Sequence, residues 1–189
     1  DCTTCNFAGR QLLDEFGLDY TTITEVLPDP YEPPTLPDGD PRSVTYRDVD
    51  ISSVAVASTR KCLKKYSLDL SDPYERSMYR GFVRSAMVLV DLYEALFKDG
   101  GFVSTIVHEP QYLHGGVALQ TALKHGISGY SQGFAYREGY IFVGRASNSS
   151  ALGVFTDKEF VRRELAEPLT DAQAETVESL VEARTKGEE

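Results

Sequence analysis

The sequence predicts an α/β fold built on an open, mostly parallel sheet that is flanked by helices. The first observation is an apolar, β-branched run at residues 102–107, which is typical of a strand covered on both faces. The second is a change to helical apolar spacing from Val117 onward, which ends near Gly126, where a helix C-cap glycine belongs. Residues 127–130 then begin a second strand. Together these residues predict one β-α-β unit of a Rossmann-like sheet.

The composition is that of an ordinary globular protein. The 189 residues are 41% hydrophobic and 25% charged, and no apolar run approaches the roughly 18 residues that a membrane span requires. The chain carries 19 basic and 29 acidic side chains, a net charge of −10, which argues against a nucleic-acid partner. It begins with Asp1 rather than Met, and we expect it to be a piece of a longer protein.

Two regions are predicted along the chain. Residues 1–150 are predicted to form the Rossmann-like domain, and residues 151–189 are predicted to form a separate C-terminal region of helices. Within the first region, residues 28–41 hold six of the nine prolines and predict an exposed, extended loop. In the second region, Thr170-Asp-Ala-Gln173 has the pattern of a capping box and predicts the start of a helix.

Two longer helices are predicted immediately ahead of the β-α-β unit. The first begins near Asp50 and carries a basic cluster that faces solvent or meets an anionic group: Arg60, Lys61, Lys64 and Lys65. The second opens at Asp72, a predicted N-cap, reaches about Lys98 and is expected to pack against the sheet. Its apolar stripe is predicted to be Tyr74, Met78, Phe82, Ala86, Leu89, Tyr93 and Leu96. Residues 20–26 are predicted to be a strand or an extended link.

Reactive side chains follow the first strand of the predicted β-α-β unit, at the edge where open α/β sheets bind ligands. His108 and His114 bracket this turn, and Glu109 follows the first histidine. Histidine can take a proton from a hydroxyl near neutral pH, and a neighbouring carboxylate can orient it. These three residues are therefore the candidate catalytic group. A histidine at a strand end can also be a hydrogen-bonded structural residue.

A second set of residues is predicted to bind substrate. Gly115 and Gly116 lie at the helix start, where backbone N–H groups could approach a phosphate or sugar oxygen, or where glycine serves close packing. Tyr112 and Tyr136 could stack on a sugar ring. Arg137, in the turn of a hairpin predicted over residues 134–143, completes the set.

No metal site is predicted. The histidines and Glu109 are irregularly spaced for ligands, and Cys2-Thr-Thr-Cys5 is only half of a zinc pattern, with no second CxxC after it. With Cys62 the cysteines number three, an odd count that argues against a disulfide framework. We expect Cys2 and Cys5 to be reduced thiols.

One family resemblance covers most of the chain. The run STIVHEPQYLHGGVALQTALKHGISGYSQG resembles the strand–turn–helix–strand in N-terminal domains of GT-B-like glycosyltransferases of surface and capsular polysaccharide biosynthesis. The segment ASTRKCLKKYSLDLSDP is similar to the preceding family segment, and EFVRRELAEPLTDAQAETVESLVEARTKG to the linker helix before the second domain. The sequence departs from the family pattern because the glycine pair follows His114 while Glu-Pro follows His108. Both histidines therefore stay candidates for the base.

The resemblance implies the acceptor-binding half of a glycosyltransferase, in which a histidine deprotonates an acceptor hydroxyl. A C-terminal domain would hold the nucleotide sugar, and no cofactor beyond this donor substrate is implied. The implied partners are a glycan or lipid-linked acceptor and the second domain, without which the chain is expected to be inactive. The implied location is the cytoplasm, with peripheral association at the inner face of the membrane where the acceptor is lipid-linked. The alternative is a non-catalytic Rossmann-like module that binds sugar or phosphate or acts as a scaffold.

Overall fold

The structure is a computed structural model that describes residues 10–36, 43–98, 100–134, 141–146, 166 and 168–186. The chain divides into two compact units, Asp1–Val154 and Phe155–Glu189. The helices of the first unit are α1 (residues 10–15), α2 (Ile23–Val26), α3 (Ser52–Leu63), α4 (Pro73–Lys98) and α5 (Leu113–Lys124). Its strands are β1 (Thr45–Tyr46), β2 (Val49–Asp50), β3 (Ser104–His108), β4 (Ser128–Phe134) and β5 (Ile141–Arg145). The second unit contains α6 (Asp171–Lys186).

The sheet that matters for the site has three strands in the order β3-β4-β5. Strands β3 and β4 are parallel and are joined through α5, whereas β4 and β5 are antiparallel. The predicted β-α-β unit and the mixed α/β class are therefore confirmed. The finer expectation of a mostly parallel, Rossmann-like sheet is not confirmed, because β5 reverses direction and β1 and β2 form a separate two-stranded hairpin.

Strand β3 is covered on one face by the described residues, which corrects the expectation of a strand buried on both faces. Val107 is buried with Ala118 and Leu119 of α5, whereas Ile106 is 67% exposed. Side chains alternate between the two faces of a strand, so Ile106 and His108 lie on the face away from α5. A continuous apolar run does not reveal which face is uncovered, and the prediction failed for that reason.

Helix α4 packs chiefly against α5 and α3 rather than directly against the sheet. Its buried side chains include Tyr79, Val83, Ala86 and Val90. The predicted apolar stripe is confirmed at Ala86 and at four members that are partly buried against the core, Phe82, Leu89, Tyr93 and Leu96, and it is wrong at its N-terminal end. Tyr74, which that stripe placed in the core, is 65% exposed. The helix carries two adjacent apolar rows, and only the packing of α3 and α5 decides which one is buried. No helix in the described ranges is both long and apolar enough to cross a membrane.

Several helix ends follow the predicted local chemistry. Asp72 Oδ1 accepts the backbone N–H groups of Tyr74 and Glu75, each at 2.9 Å, and caps α4 as expected. The C-terminus of α5 is closed by Gly126, whose φ is +74°. The next N–H, that of Ile127, is donated to the main-chain oxygen of Ala122 at 2.9 Å.

The second unit also begins its described helix where the sequence predicts. The backbone N–H of Thr170 is donated to Gln173 Oε1 at 2.9 Å, and the N–H of Gln173 returns to Thr170 Oγ1 at 3.4 Å. This reciprocal pair is the predicted capping box of α6. In the first unit, residues 20–26 differ from expectation, because Ile23–Val26 form the short helix α2 with Glu25 bonded to Thr22. That local capping favours a helical turn over the predicted strand.

The described part of the proline-rich segment is hydrogen-bonded to α4 through the carboxylate of Asp91. Tyr31 Oη donates to Asp91 Oδ2 at 2.8 Å, and Tyr46 Oη donates to Asp91 Oδ1 at 3.1 Å. Arg47 Nε lies 2.8 Å from the same Oδ1, and the Asp91 side chain is only 11% exposed. Residues 27–36 contain neither helix nor strand, as predicted for this loop, and residues 37–41 lie outside the described ranges.

This contact predicts a loss of stability at high pH. Burial, followed by the hydrogen bond to Asp91, raises the pKa of Tyr31 above its usual value. A raised folded-state pKa adds stability that is complete below the ordinary tyrosine pKa of about 10 and is lost as the pH rises toward the folded value. We expect the free energy of unfolding to fall above about pH 10, and to fall less steeply in Tyr31→Phe. Urea denaturation from pH 8 to pH 11 measures both slopes, and equal slopes would contradict the assignment.

Candidate active site

His108, the last residue of β3, lies directly opposite Gln132 of β4 across the parallel pair. The Nδ1 atom of His108 is 3.0 Å from Gln132 Nε2 and 3.3 Å from the Gln132 main-chain oxygen. The ring is half-buried. Because Nδ1 is engaged by Gln132, β4 fixes the orientation of the imidazole.

Glu109 begins the turn after β3 in a left-handed backbone conformation, with φ of +50°. A non-glycine residue in this region is unusual, and it reverses the chain so that the Tyr112 N–H reaches the Glu109 main-chain oxygen at 3.0 Å. The Glu109 carboxylate lies 2.9 Å from Lys61 Nζ of α3. In the described contacts, Gln132 rather than Glu109 orients the His108 ring. The Glu109 carboxylate pairs with Lys61 instead.

Lys61 connects the turn to α3 through a second contact. Its Nζ lies 3.9 Å from the centroid of the Tyr112 ring, a cation–π distance. Close by, the N–H of Leu113 is donated to Ser58 Oγ at 2.9 Å, which satisfies one of the donors at the start of α5. The predicted stacking residue Tyr112 is thus held from one side by a cation. The basic cluster of α3 contributes one member, Lys61, to this region, while Lys65 pairs with Glu75.

Gly115 and Gly116 allow α5 to approach its neighbours closely. A Cβ on Gly115 would lie 2.6 Å from the His108 main-chain oxygen, and one on Gly116 would lie 2.4 Å from Val54 Cγ1 and 2.5 Å from the Pro110 oxygen. The Gly116 N–H is donated within the helix to Tyr112 at 2.8 Å. The close-packing interpretation accounts for both glycines, and Gly116 has no N–H to offer a phosphate.

The remaining candidate residues are distributed differently. His114, the second residue of α5, is exposed and makes no hydrogen bond or ion pair to the described residues. Tyr136 and Arg137 lie outside the described residues, as do Cys2 and Cys5. His125, at the end of α5, lies 3.0 Å from Glu94 Oε2 of α4 and joins two helices away from this turn.

Gln132 escaped prediction as a residue of the site, and Lys61 is predicted only as one member of the basic cluster. Gln132 and Lys61 carry no local signal, because one is a polar residue in a strand and the other is one lysine of a basic helix. The β-α-β pairing could have identified Gln132, since parallel strands align residue by residue once their register is known. Lys61 is brought to Glu109 by the packing of α3 against α5, which no sequence pattern encodes.

Ser131 is the one serine of the sequence that lies in a GxSxG pattern, and its position in the fold excludes it as a hydrolase nucleophile. Residues 129–133, Gly-Tyr-Ser-Gln-Gly, match the GxSxG pattern, whose serine stands on a sharp strand-to-helix turn in hydrolases. Here all five residues lie within β4, and Ser131 is only 4% exposed. The serine hydroxyl therefore cannot meet a substrate from the top of a turn.

Within the described ranges, no group of three or more His, Cys, Asp or Glu side chains is arranged to hold a metal ion. Comparisons of the chain with protein-family models, with curated proteins and with solved structures found no match.

Proposed function

We propose that this chain is the acceptor-binding half of a glycosyltransferase that moves a sugar from a nucleotide sugar to a glycan or lipid-linked acceptor. In this proposal His108 is the base that deprotonates the acceptor hydroxyl. A second domain holds the donor, as the resemblance implies. The supporting observation is that His108 ends a strand of a parallel β-α-β unit and is oriented there by Gln132.

The proposed chemistry requires one tautomer of His108. A neutral imidazole carries a single N–H, so Nδ1 either donates to the Gln132 main-chain oxygen or accepts from the Gln132 side-chain amide. In the first case Nε2 is the basic nitrogen and can take a proton from a hydroxyl. We therefore assign the Nδ1–H tautomer to the catalytic form. Among the two candidate histidines, His108 is favoured because its ring is held by a partner strand.

The second candidate function is a binding module without catalysis, and one distance favours it. The Gln132 Nε2 atom is the nearer neighbour of His108 Nδ1, at 3.0 Å. If that amide donates, the proton resides on Nε2, and His108 becomes a hydrogen-bond donor to a sugar or phosphate oxygen. The pairing of Glu109 with Lys61 also fits a rigid recognition surface.

A binding experiment tests whether this chain is the acceptor side. Amide spectra of the ¹⁵N-labelled chain are recorded during titration with a series of defined disaccharides, and separately with UDP-glucose and GDP-mannose. We expect at least one disaccharide to shift the resonances of His108, Tyr112 and Gln132, because a sugar ring would lie against them. We expect neither nucleotide sugar to do so. Shifts of this site by the nucleotide sugars alone would contradict the proposal.

A further inference from the structure

Helix α4 carries a row of unpaired arginines on its exposed side. Arg76, Arg80 and Arg84 are four residues apart, so they lie on one helix face with a rise of about 6 Å between neighbours. All three are exposed, and none makes a hydrogen bond or ion pair with a residue that the structure describes. Like charges at this spacing repel one another. The chain has a net charge of −10, so this row is a positively charged patch on an otherwise acidic protein. No carboxylate of the described residues pairs with it.

The arginine row borders a groove of about 450 Å³ that is also lined by Leu36, Pro73 and two small residues of α4. Ser77 and Gly81 line this groove, and Ser85 continues the small row one turn further along α4. A Cβ on Gly81 would meet nothing within 4 Å. Glycine destabilises a helix interior relative to alanine, and no contact with the described part of the chain requires it at position 81.

A third row completes the face on the other side of the small residues. Tyr74, Met78 and Phe82 are also four residues apart and line a second shallow groove of about 320 Å³ with the small row. Met78 and Phe82 are half-buried, and Tyr74 is largely exposed. The face therefore consists of a cationic ridge, a channel of small side chains and an apolar ridge.

We propose that this face of α4 docks an amphipathic helix of a partner protein, with carboxylates along one edge of that helix. Two ridges at four-residue spacing with a channel between them match the groove that receives the i, i+4 ridge of a second helix, crossing at about −50°. The partner's carboxylates pair with the guanidinium groups, which bind carboxylates through two parallel hydrogen bonds. Its apolar side chains contact the row of Tyr74, Met78 and Phe82.

The same features argue against two other occupants. A membrane surface is bound by apolar side chains that project into it, whereas Met78 and Phe82 are half-buried and border a channel. A second copy of this chain would meet the face through a two-fold axis that sets the same patch against itself. With the two α4 helices antiparallel, the arginine rows of the two copies would lie side by side and repel each other. With the helices parallel, each arginine row would face the apolar row of the other copy and would find no carboxylate there.

A designed peptide pair tests the proposal. The probe is a fluorescein-labelled, alanine- and leucine-based helix with glutamate at every fourth position along one edge. Its control has the same composition in scrambled order. We expect the edge-patterned peptide to bind the chain at least about tenfold more tightly, and Arg76→Gln/Arg80→Gln/Arg84→Gln to weaken that binding about tenfold, as three exposed ion pairs would give. The matched control replaces the exposed Arg10, Lys64 and Lys98 with glutamine and is expected to bind normally.

A substitution at Gly81 distinguishes a loss of docking from a loss of folding. Because the position is open, Gly81→Leu is expected to leave the chain folded while it fills the channel and abolishes peptide binding. Equal binding of both peptides, or full binding by either the triple arginine variant or Gly81→Leu, would overturn the proposal. Arginine-dependent binding to phosphatidylglycerol vesicles with no preference between the peptides would also overturn it, because the occupant would then be a membrane.

Discussion

His108→Ala is expected to lower the rate of sugar transfer by about 10²–10⁴-fold, the usual contribution of a positioned general base. The base acts on the acceptor hydroxyl in the transition state, so the loss should fall on kcat more than on KM. The measurement uses the full-length protein with a panel of nucleotide sugars and acceptors. We expect this effect at His108 because Gln132 holds its ring in position at the end of β3.

The matched control for this variant is His114→Ala. His114 is exposed and has no partner among the described residues, so its loss should change the rate by less than about threefold. The reverse pattern, with His114 essential and His108 dispensable, would assign the base to the helix start. Undiminished sugar transfer in both variants would show that neither histidine of the turn after β3 is the catalytic base.

Gly116→Ala is expected to lower the free energy of unfolding by about 1–3 kcal/mol, the cost of overpacking a tight contact. The added Cβ would lie 2.4 Å from Val54 Cγ1 and 2.5 Å from the Pro110 main-chain oxygen. The Pro110 oxygen is a main-chain atom and cannot move without shifting the turn after β3, and Val54 is β-branched, so its rotamer is restricted within α3. Urea denaturation of the variant and the parent chain measures the difference.

Gly81→Ala is the matched control for this glycine effect. Both positions lie inside a helix, but the Cβ at position 81 meets nothing within 4 Å. Alanine there should raise the free energy of unfolding by about 0.5–1 kcal/mol, because it removes the conformational cost of a mid-helix glycine. Stabilisation by both substitutions would contradict the close approach of Gly116 to Pro110 and Val54.

The sequence predicted the features whose signals are local. The helix start at Asp72, the C-terminal glycine of α5 at Gly126 and the capping box at Thr170 each depend on a few adjacent residues, and the structure contains all three. The β-α-β unit was also predictable, because the change from strand to helix periodicity lies within residues 102–130.

The features that were mispredicted depend on which surfaces meet. Helix α4 offers two adjacent apolar rows, and the sequence could not tell that Tyr79 and Val83 would be buried while Tyr74 stays exposed. For the same reason Ile106 was expected in the core. The contacts of the candidate site are long-range as well, since Gln132 reaches His108 across a strand pair and Lys61 reaches Glu109 from α3. Such contacts arise from packing and strand register, which periodicity does not encode.

The protonation state of the His108 ring is the most direct test of its role as the base. Long-range ¹H–¹⁵N correlation spectra of the chain at pH 8 distinguish the two neutral tautomers of each histidine. The proposed function predicts a proton on His108 Nδ1, donated to the main-chain oxygen of Gln132, and a basic Nε2. A proton on Nε2, with Nδ1 accepting from the Gln132 amide, would contradict it and would make His108 a donor in a binding site.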